Sequence, residues 1–488
     1  MIGSLDSQAR DYEENGKHAD AEGLYRQLQQ HLAEARGSDH PDTLKIEYRL
    51  AMSLARQKRT EEAIALLDQT LMAQRRVLGS TAPDTVKTEW SLVNTLRSAA
   101  FAICETPDRS DSDYARAVNM FQRAVDLRPT QALAHCALAW GQFQQKHWQL
   151  SLASLEKSVA LNVLGGFQWY LMAMNHSQLG DQQTARDWLT FAYEWKFKLP
   201  KEQQDPWVNK LTKQALALAD LENAWTPTDL TEADYVDVYS RLVAKYPRIA
   251  WLHHFRGCHY AEMGQFEKAV ADYVKADECM QTMDRSRHHA LHLYALSAIY
   301  LYLGDLAKSE SECKRVIARA SNDPWEQRVL SEVCCYLPSG TFDYDKFYSV
   351  ATIRYARTKS RHYDLGLYLL TAYRSGRYRE VVANEQKPIT VPALLSVAMA
   401  HKRLGDNRSA QEFLERARNR LATQLKTLIP QVITGYADRP TQFCWLSALL
   451  REAEALIEPG KQGTETKAIG QRKDGEFHHS ASGEATKG

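Results

Sequence analysis

The feature that most constrains this chain is that it repeats itself. Asp39-His40-Pro41-Asp42-Thr43-Leu44 returns as Thr81-Ala82-Pro83-Asp84-Thr85-Val86, a period of 42 residues. A unit this short cannot bury its own apolar face, so successive units must stack and share one continuous core. In both copies the Pro-Asp-Thr is expected to end one unit and open a helix, with Asp or Thr offering an oxygen to the first free amides.

A second pattern runs through the rest of the sequence. A glycine stands five residues before a small residue that opens an apolar helix: Gly16/Ala21, Gly180/Ala185, Gly264/Ala269, Gly304/Ser309 and Gly405/Ala410. Glycine suits the left-handed exit from a helix, so each marks the turn of a helical hairpin. Another small residue lies twelve positions before the helix-opening one. The pairs are Ala9/Ala21, Ala51/Ala63, Ala139/Ser151, Ala173/Ala185, Gly257/Ala269, Ser297/Ser309 and Ala398/Ala410. Antiparallel helices approach closely only where both present small side chains, and this spacing sets the two opposite each other across the turn. The expected fold class is all-α: a helical-hairpin solenoid in two arrays of antiparallel helix pairs.

These residues resemble the tetratricopeptide repeat, which has small residues on both helices, an aromatic four after the second one, and a closing proline. Ala21 is followed by Tyr25, Ala117 by Phe121 and Pro129, and Ala269 by Tyr273 and Ala276. The resemblance covers most of residues 1–420, with Trp251 to Asp277 the best unit, and it speaks to fold rather than function. Three segments are also similar to the helical regions that follow the catalytic domain of large bacterial serine/threonine protein kinases. They are the Asp-His-Pro-Asp-Thr-Leu unit, Trp169 to Gly180, and Ala250 to Gly257. That similarity implies a kinase-associated accessory region as the alternative function, separated from its catalytic domain or truncated of it.

Periodicity lapses at Thr226-Pro227-Thr228-Asp229 and restarts at Thr231. The expected organisation is therefore a first array over 1–225, a second over 226–458, and a disordered tail over 459–488 too poor in apolar residues to order itself. The first array is expected to hold about five hairpins and an extra amphipathic helix near Trp207 to Leu221. The second includes a poorer unit near 325–356 and one with Leu369 and Val381 where small residues belong. The first repeat lacks the polar cap that solenoid ends normally carry, so its opening helix is expected to fray or to follow another domain.

Chemistry finds no foothold. The sequence has no Gly-x-Gly-x-x-Gly loop, no Asp-Phe-Gly, no His-Arg-Asp and no Gly-x-x-x-x-Gly-Lys, so no kinase machinery or phosphate loop is expected. His288 and His292 share a helix face, but no carboxylate or cysteine completes a metal set. Cys334-Cys335 reads as two small hydrophobes. No enzyme activity, cofactor or metal is expected. With 61 basic against 60 acidic residues and a net charge of +1, no nucleic-acid or membrane partner is implied. The longest apolar stretch, Leu293 to Leu303, is about half a membrane span. The amino terminus has no secretory character and eight cysteines in 488 residues are too sparse for a disulfide framework, which points to the cytoplasm.

What remains is recognition. The face of each first helix turned away from its partner helix lines the concave surface of a solenoid. There the sequence places Tyr48, Trp140, Phe143, Tyr170 and Met174 in the first array, and Trp251, His254, Tyr294, Tyr302, Tyr373 and Arg374 in the second. Aromatic and methionine side chains suit capture of a peptide or helix by a protein scaffold; packing against the neighbouring repeat is the competing role for each. A carboxylate clamp would need alternating Lys and Asn along the groove, whereas Arg56, Lys402 and Arg403 read as solvated cations. Self-association is a further open outcome.

Overall fold

The computed structural model describes residues 2–106, 109–161, 166–197, 206–218, 230–280, 290–319, 335–338, 342–358, 362–386, 390–427 and 439–459. They contain 22 helices and, among the described residues, no strand. The chain divides into two compact units: Met1–Lys196 with Gln204–Pro227, and Phe197–Gln203 with Thr228–Gly488. The expected tail, Cys334, His288 and much of the poorer unit near 325–356 fall outside the described residues.

The first unit is a run of five hairpins. They are α1 (Ile2–Glu14) with α2 (His18–Arg36), α3 (Pro41–Arg56) with α4 (Thr60–Val77), α5 (Pro83–Glu105) with α6 (Asp111–Leu127), α7 (Ala132–Gln144) with α8 (Trp148–Ala160), and α9 (Gly166–Gln178) with α10 (Gln182–Phe197). Each helix packs on the next, and a last helix, α11 (Pro206–Leu218), lies against α9. In the second unit, α12 (Glu232–Lys245) precedes the hairpins α13 (Ala250–Glu262)/α14 (Phe266–Met280) and α15 (Ala290–Leu303)/α16 (Leu306–Arg319). Then come α17 (Tyr344–Thr358), α18 (His362–Arg374), the stub α19 (Tyr378–Val382), α20 (Val391–Arg403), α21 (Asn407–Thr427) and α22 (Arg439–Ile457).

The small-residue pairs sit where the hairpins close. Ala9, Ala21, Ala51, Ala63, Ala139, Ser151, Ala185, Ala269, Ser297, Ser309, Ala398 and Ala410 are all fully shielded from solvent. Where serine replaces alanine, its hydroxyl bonds across the same contact: Ser151 Oγ donates to the Ala139 carbonyl and Ser309 Oγ to the Ser297 carbonyl, each at 2.8 Å. A buried hydroxyl so satisfied costs little. At Gly257 the approach is close, since a β-carbon there would meet the Tyr273 ring at 3.0 Å and the Ala269 carbonyl at 3.3 Å.

The five turn glycines all adopt positive φ, from 70° at Gly264 to 88° at Gly405. In the α3/α4 and α7/α8 hairpins the equivalent places are held by Lys58 at φ 63° and Lys146 at φ 60°, an L-residue strain that glycine avoids. One local expectation is corrected. Pro41 and Pro83 are themselves the first helical residues, so the caps fall to His40 and Ala82 rather than to Asp or Thr. His40 Nδ1 accepts from the Asp42 amide at 3.2 Å, whereas Ala82 has no side-chain acceptor to offer. The unit with Leu369 and Val381 shows what large residues do at the crossing. Both are buried, the second helix shrinks to α19, and α18 packs directly on α20.

Two consequences are measurable. Gly257→Val forces branched carbons into the Tyr273 ring and the α14 backbone, and should destabilise the second unit by about 1–3 kcal/mol, read as a lowered denaturation midpoint. Lys146→Gly should do the reverse, gaining about 0.5–1 kcal/mol by relieving the left-handed strain; an unchanged or lower midpoint would contradict it.

The first-helix faces as a candidate partner surface

Most of the aromatic residues expected to line a groove are interior. In the first unit Trp140, Tyr170 and Met174 are at most 5% exposed. Trp140 stacks on Phe143 with ring centroids 5.9 Å apart and meets Phe167 edge-on at 5.8 Å. Tyr170 donates its hydroxyl proton to the Ala192 carbonyl at 3.4 Å. Phe143 and Tyr48 are half-buried. Phe143 also tilts against Trp148 at 4.8 Å, so α8 covers part of it. Burial removes Trp140, Tyr170 and Met174 from the surface a partner meets. Tyr48 keeps an outward edge: its hydroxyl pairs with Ser91 Oγ at 3.1 Å, and the Lys87 ammonium lies 4.8 Å over its ring.

In the second unit one helix covers part of this face. Helix α22 lies along the first helices, packing on α15 and α20, touching α13, and meeting α21 at its end. Trp445, 1% exposed, sits between Tyr294 at 5.8 Å and Tyr336 at 5.0 Å. Phe443 meets Tyr302 at 5.5 Å. Arg451 donates to the carbonyls of Leu301 at 3.3 Å and Tyr302 at 2.6 Å, at the negative end of α15; the Leu301 carbonyl also accepts from the Gly304 amide at 3.2 Å. Glu452 forms a bidentate pair with Arg374, which also donates to the carbonyls of Cys335 at 2.9 Å and Tyr336 at 3.2 Å. Burial disfavours the Arg374 charge, but the Glu452 carboxylate more than offsets this and holds the group above the ordinary arginine value. Arg418 on α21 pairs with Glu454 at 2.8 Å and Glu458 at 2.9 Å.

Tyr294, Tyr302, Tyr373 and Arg374 thus belong to a groove face that this chain's own helix covers or packs beside. Tyr294, Tyr373 and Arg374 are buried, Tyr302 half-buried. Trp251 is buried against His254, 5.5 Å away and half-buried. No pattern in α22 distinguishes it from a hairpin helix, which is why this arrangement is not legible in the sequence.

The first unit holds a face that the sequence pattern missed. On α5, Lys87, Trp90, Asn94 and Arg97 follow one another at spacings of three, four and three, which sets them on one side of the helix. Lys87, Trp90 and Asn94 are exposed and Arg97 is half-buried. The Arg128 guanidinium lies 4.0 Å over the Trp90 ring. Arg97 Nη1 donates to Asn94 Oδ1 at 3.4 Å, while its Nε is buried without an acceptor. Burial pulls the Arg97 guanidinium below the ordinary arginine value, and only the Cys136 thiol acts against it. The 42-residue period carries Tyr48 onto Trp90 and Ala51 onto Val93. Extending the period one copy further was the signal available, and the absence of a small residue at Val93 concealed it.

Among the described residues no group of three or more His, Cys, Asp or Glu side chains is placed to hold a metal, and no helix is long and apolar enough to cross a membrane. The described cysteines are free, and all but Cys279 are buried.

A family profile described as the tetratricopeptide repeat matches residues 4–76, the span of the first two hairpins. No protein of curated function matches the chain. Among solved structures, the Podosopora anserina kinesin light chain with nearly identical repeats of this kind is similar at 20% identity, over 40% of this chain and 95% of that one, with a TM-score of 0.29. A tetratricopeptide repeat protein from Parabacteroides merdae is 13% identical over 68% of this chain and 98% of that one, with a TM-score of 0.27. The human IFIT1 dimer with m7Gppp-AAAA is 15% identical over 86% of this chain and 90% of that one, with a TM-score of 0.25. With the repeat profile on the opening hairpins and helix pairs closed at small residues in both units, the fold is an all-α solenoid of tetratricopeptide type, in two arrays of antiparallel helix pairs.

Proposed function

We propose that this chain is a non-catalytic, cytoplasmic scaffold that binds a peptide or helix of a partner protein on the first-helix face of its first array. One observation carries the reading: the two arrays differ in what covers that face. In the second, α22 lies on it and supplies the aromatic, cationic and carboxylate groups that a ligand helix would bring. In the first, α5 offers Lys87, Trp90 and Asn94 to solvent beside the half-buried Tyr48. Concave solenoid faces are extended recognition surfaces, and a rigid aromatic flanked by polar donors supplies contact area with little side-chain entropy to lose.

The reading separates two kinds of aromatic residue. Trp90→Ala should weaken capture of a partner by the immobilised full chain, identified by mass spectrometry, while the thermal midpoint stays within about 1–2 °C, because surface changes away from buried features cost little. Trp140→Ala and Tyr294→Ala should instead lower stability by about 3–5 kcal/mol, with loss of capture following loss of fold. A captured partner whose binding ignores Trp90 would move the recognition face elsewhere.

A further inference from the structure

Three carboxylates of the first array's first helices are already committed. Asp6 pairs with Arg10 and Arg49, Glu13 with Arg56, and Glu89 with Arg75 at 2.7 Å and Arg128 at 3.5 Å. Lys87 and Arg97 are left without a carboxylate among the described residues. A half-buried guanidinium in this position is a costly feature: its Nε has lost water without gaining an acceptor, and desolvated cations are tolerated when a counter-charge compensates them. The Asn94 amide oxygen accepts from Arg97, and the side chain is exposed.

Resting on the scaffold reading, we propose that the α5 face formed by Lys87, Trp90, Asn94 and Arg97 binds an acidic segment of the partner, with one carboxylate side chain on the Arg97 fork and a second on Lys87. A planar guanidinium matches a carboxylate with two parallel hydrogen bonds, and an ammonium accepts one as a point charge. Lys87 and Arg97 are separated by about 15 Å of helix at 1.5 Å per residue. An extended peptide covers that length in four to five residues at about 3.3 Å each. The ligand is therefore a stretch with two acidic side chains about four positions apart, rather than a single terminal carboxylate. A nucleic acid fits less well. It would stack bases on the aromatic rings, but Trp90 has Arg128 over one face and Tyr48 has Lys87 over its ring. The chain's net charge of +1 also gives no overall attraction for a phosphate backbone.

The test is an anisotropy titration of the full chain with a fluorescent peptide blocked at both ends and carrying two glutamates four positions apart. Saturable binding is expected, at least tenfold weaker for the same peptide with glutamine in both places. Arg97→Met should weaken binding at least tenfold and Lys87→Ala at least threefold, whereas Arg26→Gln, on a second helix, leaves it unchanged. Arg97→Met should also melt no lower than the parent chain, because it removes an uncompensated cation. Failure to bind, equal binding of the glutamine peptide, or indifference to Arg97→Met overturns the proposal. So does a clear fall in melting temperature for that variant, or tighter binding of a peptide with one free terminal carboxylate or of an oligoadenylate. If the peptide fails while Trp90-dependent partner capture persists, the acidic ligand is wrong and the scaffold reading stands.

Discussion

Everything in this molecule depends on how closely two helices can approach at one level of each hairpin. Where alanine faces alanine, or serine bonds to the carbonyl opposite, the paired backbones come together without trapping a void or an unsatisfied group. That contact fixes the hairpin's internal geometry, and stacking identical geometries makes a solenoid. The unit built on Leu369 and Val381 shows the dependence from the other side. With two branched side chains at the crossing, the second helix is reduced to five residues and the next first helix takes its place against α18.

A solenoid made this way always leaves a problem on its concave side. First helices present one face to their partners and another to the groove, and an apolar or charged groove face must be covered by something. The two arrays answer differently. In the second, α22 brings Trp445 to the aromatic rings, Arg451 to the carbonyls ending α15, and Glu452 to Arg374. The same helix joins two clusters of buried side chains, one around Leu394 and Leu414 and one around Tyr273 and Leu296. It is both the groove's occupant and its brace, and its buried Trp445 indole N–H finds no acceptor among the described residues.

How much of this the sequence discloses follows from the range of each interaction. The turn glycines and the small pairs are set by residues within twelve positions of one another, so a single chain records them directly. The α22 contacts are different: Arg451 bonds to Leu301, 150 residues away, and nothing local in Arg439–Ile457 says which surface it covers. Periodicity cannot tell a ring that lines a groove from one that packing buries. Tyr170 and Trp251 are buried. Arg97 was missed for a third reason. Val93 stands where α3 has Ala51, so the small-residue rule passes over α5, although Lys87, Trp90, Asn94 and Arg97 all lie within the stretch that matches α3.

Helix geometry shows how a cation comes to stand on this face of α5. Seven residues are close to two full turns, so Arg97 follows Trp90 and Asn94 follows Lys87 on one side, at the places where α3 carries Ala55 after Tyr48 and Met52 after Lys45. On α3 the cation Arg49 finds its counter-charge in Asp6 of the neighbouring hairpin. Beside α5, α7 brings Cys136, a thiol whose proton burial holds more tightly than usual, and so no anion. The array therefore meets solvent with an arginine that no carboxylate neutralises among the described residues, whereas Arg374 in the second array is met by Glu452. The chemistry that satisfies Arg374 from within is what Arg97 is left to find outside.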